Sequence, residues 1–503
     1  MAETRSLIKD STIYGGSTIL VKMISWLMTP LFTYFTKISD VGMITNLYAY
    51  AALFTVVLTF GLETGFFRFI NNVPKEKQGS VYSTAIVIIS SIVLFFVIIF
   101  LFFIDKIHPF LWDSRIPDSY LQMVIIILSM DAFISVPFAF LRHEKKPVKF
   151  GFFKLFQVVL YALLCVFFLA VCPRINQTHP DWIAWFWKEN FSVGYILISN
   201  LIATSIQTLC LLPELTGFKF SFDRQLAKKM LHYCFPLMLM GLAGMSNQVV
   251  DKIIFPTVYP DPENAMRELG IYGACFKIGV IMVMFTQAFR YAFDPFMFEK
   301  SKEKDAKESY AVVMKYFVVV GLLVFLGVTF YLDIIKYMVV TRSEYFVGLP
   351  VVPIVLMGEL FFAVYYNLSL WYKLTDKTYW GTIFSSIGFI LIIVLNLVFI
   401  PKYSYMACAW ASFAGNGLIM LLSYVIGQKQ YPVNYDLKSL FLYLSVAVLL
   451  YCIAIFVPIE NLWLRLGFRT VLIGIYLTLV VKRDLPLREI PYISHFVKRQ
   501  RSK

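Results

Sequence analysis

Charge is scarce in this sequence. Asp, Glu, Lys and Arg make up 15% of its 503 residues, against roughly 25% in ordinary soluble domains. A soluble enzyme or binding module of this length needs more polar surface than that. Histidine is rarer still. The five copies, His108, His143, His179, His232 and His495, lie outside or at the ends of apolar runs, and no H-E-x-x-H occurs, which excludes a zinc hydrolase of that type. No Walker A sequence is present, so ATP is not hydrolysed by that route. The seven cysteines, Cys165, Cys172, Cys210, Cys234, Cys275, Cys408 and Cys452, are odd in number, scattered and mostly inside apolar runs. They supply neither a disulfide framework nor metal-ligand spacing. No long polar stretch stands apart as a soluble domain, which argues against a membrane polymerase, ligase or glycosyltransferase.

What fills the chain is apolar. Hydrophobic residues reach 59%, the mean hydropathy is +0.72, and runs near 20 residues recur between short charged loops. The pattern predicts an all-α polytopic membrane protein. Fourteen spans are expected, at 12–35, 41–69, 80–104, 119–141, 150–172, 193–212, 231–258, 269–298, 310–332, 348–372, 379–400, 405–427, 437–457 and 463–481. The net charge of +14 would suggest nucleic acid in a soluble protein; here topology accounts for it, and no nucleic-acid partner is expected. Alternate loops are rich in Lys and Arg (Lys75 and Lys77; Arg142, Lys145, Lys146 and Lys149; Lys300 to Lys307), and the loops between them are far poorer. The rule that cytoplasmic loops are positive then puts both termini in the cytoplasm, with the basic tail, 482–503, lying on anionic headgroups or a partner. The longest opposite loop, 173–192, carries Trp182, Trp185 and Trp187, as an interfacial segment does.

An internal repeat is written into two short segments. Asp40-Val41-Gly42-Met43 opens the second span, and Glu268-Leu269-Gly270-Ile271 opens the eighth, 228 residues later. Each follows a span with a proline near its outer end, Pro30 or Pro256. Six spans separate the copies, so the two halves share one orientation. The expected divisions are 1–214 (spans 1–6), 215–430 (spans 7–12), 431–481 (spans 13–14) and the tail 482–503.

Ionisable residues inside spans are costly and mark pathways or paired interiors. The candidates are Lys22 in span one, Glu63 and Arg68 in span two, Asp251 and Lys252 in span seven, Lys277, Arg290 and Asp294 in span eight, and Glu359 in span ten, with Asp131 a more isolated acid in span four. Asp251 and Lys277 are open to two readings, a structural ion pair or cavity groups. Arg290 and Asp294 are one turn apart and positioned to pair. Lys22, among Ser17, Thr18 and Ser25, has no acid on its own helix. Asn247 and Gln248 are expected to line a pathway.

The six plus six plus two arrangement, the acid-x-Gly openings of spans two and eight, and the lone cations of spans one, two, seven and eight resemble the MOP exporter superfamily. Within it, the chain is similar over nearly its full length to the Wzx-type polysaccharide flippases. The resemblance implies a fold like that of the MATE transporters and the lipid II flippases: two six-helix lobes about a central cavity open alternately to either side, with two further helices. It implies a bacterial cytoplasmic membrane protein, no enzyme and without a cofactor or metal. Its substrate would be an oligosaccharide on polyprenyl diphosphate, flipped to the outer leaflet for cell-surface polysaccharide such as O-antigen. Lys22, Arg68, Lys252, Lys277 and Arg290 would meet the anionic substrate; Glu63, Asp251, Asp294 and Glu359 would couple H+ or Na+ or pair structurally. Membrane lipids and polysaccharide polymerase or ligase machinery are the implied partners. The alternative within the superfamily is a cation-coupled multidrug antiporter.

Overall fold

The computed structural model describes residues 2–484 except 113–114, 216–219, 302, 304 and 376; the side chains of 2–13, 110–111, 292, 294–296 and 298–299 are likewise outside the described set. The tail beyond Asp484 therefore lies outside it. Fourteen long helices follow one another, and no strand occurs among the described residues. They are α1 (Tyr14–Phe35), α2 (Ile38–Ile70), α3 (Lys75–Phe102), α4 (Asp118–His143), α5 (Pro147–Thr178), α6 (Ser192–Leu215), α7 (Arg224–Val258), α8 (Pro262–Lys300), α9 (Ala306–Phe330), α10 (Val351–Leu374), α11 (Tyr379–Tyr403), α12 (Tyr405–Gln430), α13 (Leu437–Phe456) and α14 (Leu462–Asp484). Thirteen are long and apolar enough to cross a membrane; α7 falls outside that group because Asn247, Gln248, Asp251 and Lys252 lower its hydropathy.

The end of the bundle where α1 begins is called proximal here, the opposite end distal. Equivalent helix pairs pack in both sets of six. In the first set α1 packs on α5, α2 on α4, α3 on α4, and α4 and α5 on α6; in the second, α7 packs on α11, α8 on α10, α9 on α10, and α10 and α11 on α12. Between the sets, α2 runs against α8 and α7, and α1 touches α8. The remaining two helices, α13 and α14, lean on α9.

The two acid-x-Gly segments meet each other. A Cβ on Gly42 would collide with the Met266 carbonyl oxygen and lie 2.9 Å from Gly270 N; a Cβ on Gly270 would collide with the Ile38 carbonyl oxygen and lie 3.0 Å from Gly42 N. The contact is reciprocal, as a two-fold relation demands, and only glycine lets two helix backbones approach this closely. The acids beside them do matching work. Asp40 accepts from Ser192 Oγ at 2.6 Å, and Glu268 accepts from Ser404 Oγ at 3.1 Å. Each serine stands at the start of the sixth helix of its own set.

Side chains of one set also grip main-chain carbonyls of the other. Trp26 Nε1 donates to Lys277 O (2.8 Å), Asn46 Nδ2 to Lys252 O (2.9 Å), Arg342 Nη1 to Thr36 O (3.0 Å), Thr33 Oγ1 to Val339 O (3.4 Å), and Arg115 to Pro262 O. The last three lie at the distal end, where they and the Gly42–Gly270 crossing close the bundle.

Two local features depart from the uninterrupted spans read from sequence. Helix α2 breaks at Phe60 (φ 52°) and Gly61 (φ 66°), then restarts at Leu62. A Cβ on Gly61 would stand 3.1 Å from Leu237 Cβ and 3.3 Å from Cys234 O on α7, so both the left-handed turn and the close approach favour glycine. Helix α5 widens into a π turn at Phe167–Val171, and its helical run continues to Thr178. Beyond it Trp182 and Trp185 are exposed at the distal end, while Trp187 stacks on Tyr195.

Candidate functional site

Polar residues recur along one stripe of α1: Thr18, Lys22, Ser25 and Thr29. The spacing of three or four residues keeps them on one helix face. Opposite them, Lys277, Val280, Val283, Gln287 and Arg290 form a matching stripe on α8. Two cavities lie between these stripes. The proximal one, about 190 Å³, is lined by Thr18, Lys22, Gln287, Arg290 and Tyr291. The deeper one, about 310 Å³, is walled by α1, α2, α7, α8 and α10 and reached by Lys252, Lys277, Gln248, Tyr48 and Glu359. Its distal limit is the Gly42–Gly270 crossing, with Val41, Ile44, Thr45, Gly273 and Ala274 as neighbouring wall.

Four of the five candidate cations therefore face the space between the sets. The Arg290 guanidinium lies 3.5 Å from the centroid of the Tyr366 ring, whose environment it shares with Lys373 Nζ at 4.1 Å. Such stacking fixes a planar guanidinium while leaving its edge donors turned outward. Lys252 is the most constrained. Its Nζ is 3.1 Å from both carboxylate oxygens of Asp251 and from Gln248 O, and 4.0 Å from the Phe276 ring centroid. Asp251, 1% exposed, also accepts from Tyr272 Oη at 2.6 Å. The buried acid is thus paired and hydrogen-bonded, as a charge in this setting must be. The pair Asp251–Lys277 considered from sequence is replaced by Asp251–Lys252, adjacent residues on a helix whose side chains converge because Tyr272 and Phe276 of α8 wall them in.

Arg68 and Glu63 are not with the others. The break at Gly61 swings Leu62–Ile70 to the proximal end, where both side chains are exposed. Arg68 lies 4.1 Å from the Tyr233 ring centroid, and Glu63 Oε1 is 2.5 Å from Arg142 Nη2. Sequence reasoning grouped Arg68 with the cavity cations; the break at Gly61 sets it apart from them. The Asp294 side chain, expected to pair with Arg290, lies outside the described residues. Gln248 lines the deeper cavity. Asn247 does not: it is buried and donates to Ala243 O and Ser385 O, joining α7 to α11. Asp131 lines a separate cavity of about 260 Å³ inside the first set, beside Tyr48, Thr55 and Asn200. Tyr366, Gln287 and Tyr272 were missed by sequence reasoning. A helical-wheel reading of α8 from Lys277 signals Gln287, but Tyr366 and Tyr272 carry no signal of their own.

This arrangement can hold an anion. No group of three or more His, Cys, Asp or Glu residues able to hold a metal ion occurs among the described residues. Residues 7–301 match the family model described as polysaccharide biosynthesis protein. The chain belongs to the polysaccharide biosynthesis protein family.

Solved structures similar to this family member share its fold. The lipid II flippase MurJ in an inward closed conformation superposes with a TM-score of 0.71 at 13% identity, covering 93% of this chain and 98% of that one. A multidrug resistance MATE family transporter of the MOP superfamily, inward-facing, gives 0.58 at 14% identity, covering 84% and 93%. A MATE protein in complex with MaD3S gives 0.57 at 12%, covering 84% and 95%. No curated protein sequence matches the chain. The chain thus combines membership of the polysaccharide biosynthesis protein family with the fold of MurJ and the MATE proteins.

Proposed function

We propose that this family member moves an oligosaccharide linked to polyprenyl diphosphate from one leaflet of the bacterial cytoplasmic membrane to the other, by alternating access. The observation that carries the reading is the cation-lined space between α1 and α8, where Lys22, Arg290, Lys277 and Lys252 face one another across the two sets of six. A diphosphate and a row of sugar hydroxyls lose their hydration in hydrocarbon. Fixed cations replace part of it with charge-assisted hydrogen bonds. Arg290, held flat on Tyr366, is suited to grip phosphate oxygens from its edge; Tyr48 and Tyr291 offer ring faces to sugars. The deeper cavity, about 310 Å³, is near the small end of the roughly 300–1,000 Å³ range of ligand sites. The described conformation is a contracted one, and an oligosaccharide enters when the proximal ends part. In this reading residues 1–214 and 215–430 are the moving lobes, a division supported by their equivalent packing, 431–481 accompanies the second, and both termini are cytoplasmic. The product then serves polymerase or ligase machinery outside. Arg68 sits at the proximal mouth, a first contact for the arriving diphosphate.

One observation favours a second reading. Glu359 reaches the deeper cavity beside Lys252, the kind of acid a cation-coupled multidrug antiporter uses, or by which an H+ or Na+ gradient drives the flippase. The test for both is reconstitution in proteoliposomes with a lipid-diphosphate oligosaccharide in one leaflet, followed by its accessibility to an external enzyme with and without a proton or sodium gradient. Protein-dependent exposure that Arg290→Ala and Lys22→Met abolish is the expected result. Failure to expose it, with uptake of a cationic dye against a gradient, overturns the flippase reading in favour of the antiporter.

A further inference from the structure

A second cluster of cations lies far from the central cavity, at the distal end, where α14 begins beside the short helix Leu332–Val339. Lys336 Nζ is 3.6 Å from Asp333 Oδ1, Arg465 Nε is 3.1 Å from Asp333 Oδ2, and Arg469 Nη1 is 2.9 Å from the same oxygen. Three cations thus gather around one carboxylate, which is the single acid within ion-pair distance of any of them among the described residues. The local charge is two positive units in excess.

The cluster is partly enclosed. Side-chain exposure is 14% for Arg469, 18% for Lys336, 30% for Arg465 and 23% for Asp333. Arg469 is fixed further by donating to Phe330 O at 2.9 Å, and Lys336 is held against the Phe346 ring at 4.7 Å. Yet the buried Nε of Arg469 has no hydrogen-bond partner, and that of Arg465 has only the misaligned ion-pair contact with Asp333 Oδ2. A buried donor left unsatisfied costs about 1–3 kcal/mol and more on a charged group, so this arrangement is incomplete as it stands. Like charges crowded in a partly dry site need a counter-anion.

The surroundings say what kind. Phe456, Trp463 and Leu464 are strongly exposed on the same end of α13 and α14, the amphipathic belt of a membrane–water interface. An anion arriving there comes with its charge at headgroup depth. Two arginines four residues apart on one helix offer forked donors to tetrahedral oxyanions, and Lys336 adds a point charge from the facing element.

We propose that Lys336, Arg465 and Arg469 form a phosphate-binding site at the distal membrane surface, taking the phosphate of an anionic lipid headgroup or a free phosphate. Asp333 is the internal competitor that orders the cations when the site is empty. This assignment is independent of the transport reading, because none of its residues lines the central cavity.

The test uses the purified full-length protein, delipidated in detergent, with phosphatidylglycerol, phosphatidylcholine and inorganic phosphate as probes, and retained lipid read by native mass spectrometry beside thermal stabilisation. Phosphatidylglycerol is expected to be retained in preference to phosphatidylcholine. Arg465→Gln and Lys336→Gln should each weaken that retention about fivefold, the effect of one cation near a lipid surface, whereas Lys402→Gln, an exposed distal lysine outside the cluster, should leave it unchanged. Asp333→Asn should tighten retention by a similar factor, a gain that a merely structural ion pair does not give. Inorganic phosphate that stabilises the wild type but not Lys336→Gln, without lipid preference, would assign the same site to free phosphate. Wild-type retention and stabilisation in both Arg465→Gln and Lys336→Gln, or loss of retention in Asp333→Asn, would overturn the proposal.

Discussion

If the Gly42–Gly270 crossing seals the distal end, one methyl group there should unseal it. In Gly42→Ala the new Cβ falls 2.9 Å from Gly270 N and closer still to the Met266 carbonyl oxygen. Both neighbours are main chain, so no rotamer change relieves the overlap and α2 must move away from α8. Overpacking of this kind costs about 1–3 kcal/mol, and it is charged only to the sealed conformation. The better helix propensity of alanine, about 1 kcal/mol, is gained in both conformations and cancels. Taking about 2 kcal/mol, the ratio of open to sealed molecules should rise about 30-fold. The reporter is Thr33→Cys, a distal position fully buried in the sealed form, in a background with the exposed Cys210 and half-exposed Cys452 changed to serine. Its maleimide labelling rate in purified protein should rise by about that factor in Gly42→Ala. Gly244→Ala, where a Cβ meets nothing within 4 Å, should leave the rate alone. Equal labelling in both folded variants would show that the crossing does not govern distal closure.

Further outcomes follow from the same geometry. Lys252→Met strands a carboxylate that is 1% exposed and should cost about 3–5 kcal/mol in unfolding titrations; adding Asp251→Asn should recover most of it, and an additive double mutant would disprove the pairing. Glu63→Gln breaks only a half-exposed pair with Arg142, so its stability change should stay within about 1 kcal/mol, and a loss above 2 kcal/mol would mean that Glu63 is buried after all. Tyr366→Leu should reduce flipping as Arg290→Ala does while leaving thermal stability near wild type, since it frees the guanidinium from its ring; flipping at the wild-type rate would remove Tyr366 from the site. Ser192→Ala and Ser404→Ala each remove the partner of a repeat acid, and both should lower stability by a comparable amount, about 1 kcal/mol; a large effect from one alone would break the equivalence.

Much of this architecture was legible because hydropathy and loop charge are local signals. The apolar runs mark the long helices, and the acid-x-Gly segments mark a repeat whose copies turn out to touch. The stripe of Lys22 on α1 was readable in part, since Thr18 and Ser25 stand at helical spacing from it, and Thr29 extends it. What could not be read was long-range. The break at Phe60–Gly61 depends on Cys234 and Leu237 of α7 lying alongside, so the separation of Glu63 and Arg68 from the other charges had no local signal. The choice of Lys252 over Lys277 as partner of Asp251 depends on Tyr272 and Phe276 enclosing the pair. Asn247 and Gln248 are neighbours in sequence but 100° apart on the helix, which sends one to α11 and the other to the cavity. The cluster around Asp333 joins α14 to a segment more than a hundred residues earlier, and no local pattern announces it.

Five of the hydrogen bonds that cross between the two sets of helices have an uneven vulnerability to mutation. Trp26, Asn46, Thr33, Arg115 and Arg342 each donate from a side chain, and each acceptor is a carbonyl of the backbone. Replacing Lys277, Lys252, Val339, Pro262 or Thr36 alters the side chain on the accepting side but leaves the accepting oxygen in place. Replacing a donor removes the bond outright. One side of every such contact is therefore free to change its chemistry. Lys277 can be exchanged while Trp26 goes on holding the two halves together by the same atoms.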